Sequence, residues 1–354
     1  MNRSGGLWES FVCFDNLKKA AELACKARSD KQEVTRFLSD WENKLTELQH
    51  KLLTWKFSFS SYRLFTINDY GKSRTVAMLP LYPDCIVLCA LCLVTEGPLN
   101  AKLIGQTYGS IKGRGYHKAV HKIADYLASD RKIEYVLYID IDQFYASIDR
   151  PLLKMMLRTR IKDRDILRML DLVIDSYPYD GLPKGNRTSP MLANLYLSEL
   201  DHRLKERLHC HYYVRYIDDI AVLGYSKEWL WKIHDEIVSR LAELHLSLNP
   251  NCRIYPVSQG ITFLGYEIHR DYIRLRKKSK LRMKKRLQPI SERLEDPNYS
   301  LSKHDLGVIH SYEGMLSHCN GNHLRHKIID PLYAANDRNL LLKNPTNQQK
   351  ETEI

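Results

Sequence analysis

Two short segments set carboxylates among apolar side chains: "YIDIDQF", with Asp140 and Asp142, and "YVRYIDDIAVLG", with Asp218 and Asp219. Charged side chains are almost never buried without a partner, so acids in such runs call for a cation. In a strand the side chains alternate, which puts Asp140 and Asp142 on one face and sends Ile139 and Ile141 to the core. Asp218 and Asp219 are adjacent and would point oppositely in a straight strand; the flanking apolar runs place both in the tight turn of a hairpin, where both carboxylates can face one point. If strand end and hairpin lie side by side, three or four carboxylates converge, and their repulsion raises their pKa values unless cations intervene. Mg²⁺ meets that need: it takes oxygen ligands, keeps some waters and is shared between a few carboxylates and substrate phosphates. Two such ions about 4 Å apart clamp the attacking and leaving oxygens of an in-line phosphoryl displacement. An Asp-Asp pair by itself more often closes an ordinary turn, and the acids of "YIDID" are what give this one chemistry.

The elements that must position these acids follow from periodicity. Residues 15–57 read as helices, with apolar residues at helical spacing among Lys, Glu and Gln. "YRLFTINDYGKSRTVAMLP" reads as two short strands around the turn "NDYGKS" and carries Lys72 and Arg74. An apolar helix around Cys85 to Val94 leads to the loop "GQTYGSIKGRGYHKAV", whose glycines allow close backbone approach to a ligand while Lys112 and Arg114 supply charge. A buried strand ends at the first acids, and helical segments run from Arg150 to Ser176. "YPYDGLPKGNRTSP" begins as a turn; Thr188 or Ser189 is placed to cap the next helix, with Pro190 in its first turn. A helix from about Lys227 to Leu244 precedes "GITFLGYEI", read as one further strand. From Arg270 to Arg286, ten of seventeen residues are Lys or Arg. The bland reading is a solvated helix face; the intervening Tyr, Ile, Leu and Met instead predict one apolar side and a basic stripe suited to phosphates, including Lys277, Lys278, Lys280 and Arg282.

Composition agrees with a globular chain that meets a polyanion: 354 residues, 44% apolar, and 54 Lys and Arg against 42 Asp and Glu, a net charge of +12. Eight cysteines with no CxxC pair do not form a disulfide framework or zinc module. Cys85, Cys89 and Cys92 fall on one helix face as small hydrophobes, and "HCHYY" at 209–213 reads as a core edge better than as a metal site. The N-terminus lacks the apolar core of a signal peptide, and the ten-residue run Cys85–Val94 is too short to span a bilayer. The expectation is a cytoplasmic, bacterial or phage-encoded protein with no membrane partner.

Together the motifs resemble those of reverse transcriptases. "YIDIDQFYASID" is similar to their first acidic motif, "GLPKGNRTSP" to their turn-helix motif, "YIDD" to their aspartate hairpin and "FLGYEI" to the primer-grip region, in order, with a fingers match at "KSRTVAMLP" and "GRGYHKAV". The resemblance implies an α+β right-hand polymerase fold with fingers, an antiparallel-sheet palm and a helical thumb. Its boundaries on this chain are an N-terminal helical region at 1–59, fingers at 60–135, palm at 136–268 (with fingers helices at 151–180), a basic helical thumb at 269–340 and a disordered tail at 341–354. It implies RNA-directed DNA synthesis with two Mg²⁺ ions, Mn²⁺ being an alternative, held by Asp140, Asp218 and Asp219. Tyr145 matches the ring that lies under the sugar and excludes a 2′-hydroxyl, with Phe144 the next candidate; Lys72 and Arg74 match the cations on the triphosphate, and Lys184 and Gly185 line the nucleotide pocket. Implied partners are dNTPs, a primer-template duplex and a noncoding RNA template, with an accessory protein or oligomer left open.

Among bacterial branches, the motifs "GNRTSPMLANLYLSELD", "VSQGITFLGYEI" and "HSYEGMLSHCN" resemble the enzymes of diversity-generating retroelements and of antiphage defence systems. The sequence departs from the former at Lys184, where they carry an apolar residue, and at Pro190, where they carry Gln. Most other reverse transcriptases have Gln at the position of Lys184. In "NPNCRI" the usual lysine is also missing, with Arg253 nearby. Lys184 and Pro190 favour the defence branch over the diversity-generating one.

Overall fold

The computed structural model describes residues 3–28, 30–69 and 72–343, with the side chains of Asn68, Asp69, Lys72 and Lys343 outside that description. The chain divides into two units, one of residues 1–115, 137–222 and 227–254, the other of residues 116–136, 223–226 and 255–354.

In the first unit, helices Trp8–Val12, Phe14–Ala27, Lys31–Leu38 and Trp41–Leu53 bury Leu17, Leu45, Leu48 and Leu52 completely, the apolar residues three or four apart that the periodicity marks. Asp30 opens the third helix by accepting from the backbone N–H groups of Gln32 and Glu33. The centre of the unit is helix Ile86–Asn100, whose residues Ile86 to Cys92 are all buried against helices Phe14–Ala27 and Ser189–Tyr196. Its apolar stretch, Leu81–Asn100, is longer than the ten-residue run suggests and is long and apolar enough to cross a bilayer, yet more than half of it is covered by protein. Burial pushes the Cys85 thiol up to about 12 and raises Cys89, as expected of thiols used as small hydrophobes.

Strands β1 (Arg63–Asp69) and β2 (Lys72–Met78) pair antiparallel from Arg63 opposite Met78 to Asp69 opposite Lys72, so the connection is two residues rather than the six of "NDYGKS". The functional region is built on a four-stranded sheet. Its strands are β3 (Tyr135–Asp140), β4 (Tyr213–Tyr216), β5 (Asp219–Gly224) and β6 (Arg253–Pro256), in the order β4-β5-β3-β6. Val136, Leu137 and Ile139 of the inner strand β3 are fully buried, and so is Ile141 but for 2%. Helices Arg150–Arg160 and Arg164–Asp175 are capped by Asp149 and Asp163, whose carboxylates accept from Leu152 and Ile166.

In the second unit, β7 (Ile261–Phe263), β8 (Tyr266–Ile268) and β9 (Ile273–Leu275) form an antiparallel sheet in that order. "GITFLGYEI" is therefore a hairpin and not one strand: Leu264 and Gly265, at φ +46° and +88°, make a two-residue turn that the leucine conceals in the sequence. The basic run divides as well. Arg270 donates to the carbonyls of Leu127 and Asp130, Arg274 pairs with Glu267 at 2.5 Å, and the helix begins at Lys277. Helix Lys277–Arg293 buries Met283, Leu287 and Ile290, while Tyr272 and Leu281, counted on the apolar side, are exposed. Helices Lys303–Leu316, Asn322–Ile328 and Asp330–Lys343 complete the unit. Helix persists past Leu340 to Lys343, and the rest of the expected tail lies outside the described residues.

Candidate functional site

The β4–β5 hairpin decides where the paired aspartates stand. Tyr216 is opposite Asp219, so the two turn residues are Ile217 and Asp218, and Asp219 opens β5. This corrects the expectation that both acids occupy the turn. A two-residue turn leaves room for one of them, and the adjacent strand position carries the other. Ile217 takes the left-handed conformation, φ +56°, which is sterically costly for a β-branched residue. Strand β3 ends at Asp140, so Asp142 does not continue its face: the chain turns away, with the Asp142 N–H bonded to the Ser247 carbonyl at 2.9 Å and Gln143 at φ +42°.

The acids share one electrostatic neighbourhood. Burial, then the charges of Asp218 and Asp140, push Asp219 up to about 7, against a hydrogen bond from the Tyr138 hydroxyl to its Oδ1 at 2.5 Å and the charge of Arg74. Burial and Asp140 likewise raise Asp218, while Lys184 and Arg74 pull it down. Burial and Asp218 raise the hydroxyl of Tyr145, and burial with both hairpin acids raises that of Tyr216. Negative charge is thus in excess at the junction of β3 with the hairpin, and Arg74 and Lys184 offset part of it.

Among the described residues no group of three or more His, Cys, Asp or Glu is gathered closely enough to hold a metal ion by itself. What the site offers is an all-oxygen, carboxylate donor set carrying excess charge. That fits Mg²⁺, which completes its shell with water and substrate phosphate, and does not fit a closed zinc site.

The segment Gly181–Thr188 bridges two elements. The Leu182 N–H bonds to the Tyr145 carbonyl at 2.7 Å, and a Cβ on Gly181 (φ +66°) would lie 2.1 Å from that oxygen. At the other end the Ala77 N–H of β2 bonds to the Lys184 carbonyl at 2.8 Å, and a Cβ on Gly185 (φ +102°) would lie 2.6 Å from Val76 Cγ1. The chain therefore ties exposed Lys184 to the strand that carries Arg74 and to the backbone beneath Tyr145. The helix that follows, Ser189–Tyr196, has no side-chain cap. The Thr188 hydroxyl bonds to Asn186 Oδ1 at 3.2 Å instead, and the buried Ser189 hydroxyl has no partner. Phe144 is sealed in the core, which removes it as an alternative to Tyr145.

The remaining sequence-marked residues belong to other segments of the chain. Lys112 is exposed, whereas Arg114 staples its own loop by donating to the carbonyls of Ile104 at 2.8 Å and Thr107 at 2.7 Å. Lys277 and Lys278 are exposed, and Lys280 and Arg282 half-buried, in the second unit. The Lys72 side chain lies outside the described residues. Sequence reasoning passed over Tyr138, although strand alternation puts it on the same face as Asp140. It also passed over Arg215, a charge within the same apolar run as the aspartates.

An acid-ended inner strand beside an aspartate hairpin, with helices around them, is an α+β fold of the right-hand polymerase type. The chain belongs to the reverse transcriptase (RNA-dependent DNA polymerase) family, whose model matches residues 91–268, half of its length. Protein YkfC of Escherichia coli (strain K12) is 25% identical over 156 residues, 41% of each chain. An uncharacterized 91 kDa protein in a cob intron of Schizosaccharomyces pombe is 24% identical over 166 residues, 44% of this chain and 20% of that one. The chain thus spans less than half the length of the curated relatives it matches. Similar solved structures include apo telomerase from Candida tropicalis (TM-score 0.49, 14% identity, 69% of this chain and 54% of that one). Telomerase from Candida albicans in complex with a TWJ fragment of telomeric RNA is another (TM-score 0.48, 12% identity, 83% and 62%).

Proposed function

We propose that the chain is an RNA-directed DNA polymerase that adds deoxynucleotides to a primer by two-metal nucleotidyl transfer. The observation that carries this reading is the shared field of the acids: the charge of Asp140 adds to burial in raising Asp218, the charges of Asp218 and Asp140 add to burial in raising Asp219, and Arg74 and Lys184 are the opposing charges. Asp140 and Asp218 would hold the divalent ions, Mg²⁺ or alternatively Mn²⁺, with Asp219 the second acid of the hairpin. When bound, such ions activate the primer hydroxyl and neutralise charge on the leaving phosphates. Arg74 and Lys184, with Lys72, bind and orient the triphosphate as fork and point charges. Tyr145 packs beneath the sugar and leaves no space for a 2′-hydroxyl.

Primer extension on an RNA template with Mg²⁺ and dNTPs tests the reading. Asp218→Asn lowers synthesis to background while RNA binding stays within about twofold, because it removes a metal ligand and no phosphate contact. Substantial Mg²⁺-dependent synthesis by the Asp218→Asn, Asp219→Asn double variant would overturn the site.

Within this class, a noncoding RNA serves as template and scaffold, and the role is antiphage defence in a bacterial cytoplasm. The support is the density of basic residues from Arg276 to Arg286, beyond Arg270 and Arg274, which are engaged within their own unit, together with Lys184 and Pro190, which depart from the diversity-generating pattern. A template repeat beside a variable gene in the native locus would favour diversification instead.

A further inference from the structure

Arg215 lies in β4 three residues before Asp218 and is fully buried. A guanidinium keeps its charge in a protein interior, so its burial must be answered by acceptors. Nε and Nη2 form a bidentate pair with Asp201, at 2.7 Å to Oδ1 and 2.6 Å to Oδ2. Asp201, also fully buried, further accepts from the Tyr213 hydroxyl at 2.6 Å and the Thr107 hydroxyl at 3.0 Å. That set already neutralises the charge.

The third guanidinium nitrogen makes a different connection. Nη1 donates to the Ile217 carbonyl at 2.9 Å and to Asn194 Oδ1 at 3.0 Å, and Asn194 Nδ2 donates to the Gly109 carbonyl at 2.8 Å. Ile217 is the strained turn residue, and its carbonyl belongs to the peptide that leads into Asp218. Such backbone conformations persist only where the surroundings over-determine them. Gly109 supplies the second restraint: a Cβ there would lie 2.8 Å from the Ile217 nitrogen and 2.5 Å from its Cγ1, so the turn sits directly on the glycine backbone.

We propose that Arg215 is a positioning residue that fixes the Ile217–Asp218 peptide, with Asp201 and Asn194 orienting the guanidinium and Gly109 seating the turn. Removing the Nη1 contact lets the turn relax and Asp218 swing away from Asp140. The kinetic consequence rests on the polymerase reading; the structural consequence does not.

Arg215→Lys in the full chain is the test. A lysine can keep an ion pair with Asp201 but has no fork that also reaches Ile217. The variant is expected to bind primer-template within about twofold of wild type, with dNTP KM similarly unchanged and kcat lowered about 10- to 100-fold. Amide exchange in the peptide spanning Tyr216–Asp219 is expected to quicken. Leu241→Ala, which empties a buried position in helix Lys227–Glu243, serves as the comparison for general destabilisation, with kcat and turn exchange at wild-type values below its own melting temperature. Wild-type kcat and turn exchange in Arg215→Lys, or equal losses in Leu241→Ala, would overturn the proposal. Should Arg215→Lys not fold, Gly109→Ala, which leaves the ion pair intact and presses on the turn, carries the same expectations. If the wild-type protein makes no DNA, the polymerase reading fails, and turn exchange alone decides the role of Arg215.

Discussion

Of the adjacent rings Phe144 and Tyr145, one is sealed in the core and the other lies half-exposed in the field of Asp218. On the proposed polymerase reading, Tyr145 is the ring placed to select the sugar. Tyr145→Ala is expected to reduce discrimination between dNTP and rNTP at least about tenfold in single-nucleotide incorporation, since an open floor no longer strikes a 2′-hydroxyl. Phe144→Ala should instead cost about 3–5 kcal/mol of stability and leave the discrimination ratio intact. Unchanged selectivity in Tyr145→Ala would place the gate elsewhere. At this scale the acids were legible because charge in an apolar run is conspicuous. The same reasoning, applied to Arg215 in "YVRYI", asks for a buried acid, but nothing local marks Asp201, fourteen residues earlier, as that acid.

Elements are constrained by their glycines and caps. At Gly181 both the positive φ and the Tyr145 carbonyl exclude a side chain, so Gly181→Ala is expected to destabilise by more than about 1–3 kcal/mol and to depress synthesis by displacing the Lys184 segment. Gly307 lies mid-helix with open space around it, and Gly307→Ala should stabilise by about 0.5–1 kcal/mol in thermal melts. Helix Lys303–Leu316 also carries a pH dependence. Burial would raise the buried Asp305, but the Ser302 hydroxyl and N–H, the Tyr299 hydroxyl and Arg293 outweigh it and lower the carboxyl from 3.8 to about 2. A group depressed on folding stabilises above its unfolded pKa and loses that contribution as pH falls through the folded value. Asp305→Asn should therefore cost about 2 kcal/mol near neutrality, and the difference between the melting curves should close between about pH 4 and pH 2.

For the molecule as a whole, a net charge of +12 means that the nucleic-acid binding proposed for it should depend on ionic strength. Replacing Lys277, Lys278 and Lys280 together with Gln should lower RNA–DNA duplex affinity and reduce the slope of log affinity against log salt by about 3, as three phosphate contacts are lost. An unchanged slope would make these lysines a solvated helix face. Helix Lys277–Arg293 keeps its apolar contacts through Met283, Leu287 and Ile290, so the triple variant tests charge and not folding.

What the sequence by itself determined is what depends on near neighbours. Helix Lys227–Glu243, the buried strand that leads into Asp140 and the apolar helix Ile86–Asn100 all follow from patterns that a few consecutive residues set, though that the strand stops short of Asp142 does not. Tertiary structure decided the rest, wherever the partner is distant along the chain. Pairing of Tyr216 with Asp219 leaves one aspartate in the turn and one in the strand, and Asn186 takes the Thr188 hydroxyl that helix propensity assigns to a cap. Arg215, buried among Asp201, Asn194 and the Ile217 carbonyl, bonds to the hairpin turn through contacts made only when separated segments pack. A buried polar group must find a partner, but only the folded chain fixes which one it finds.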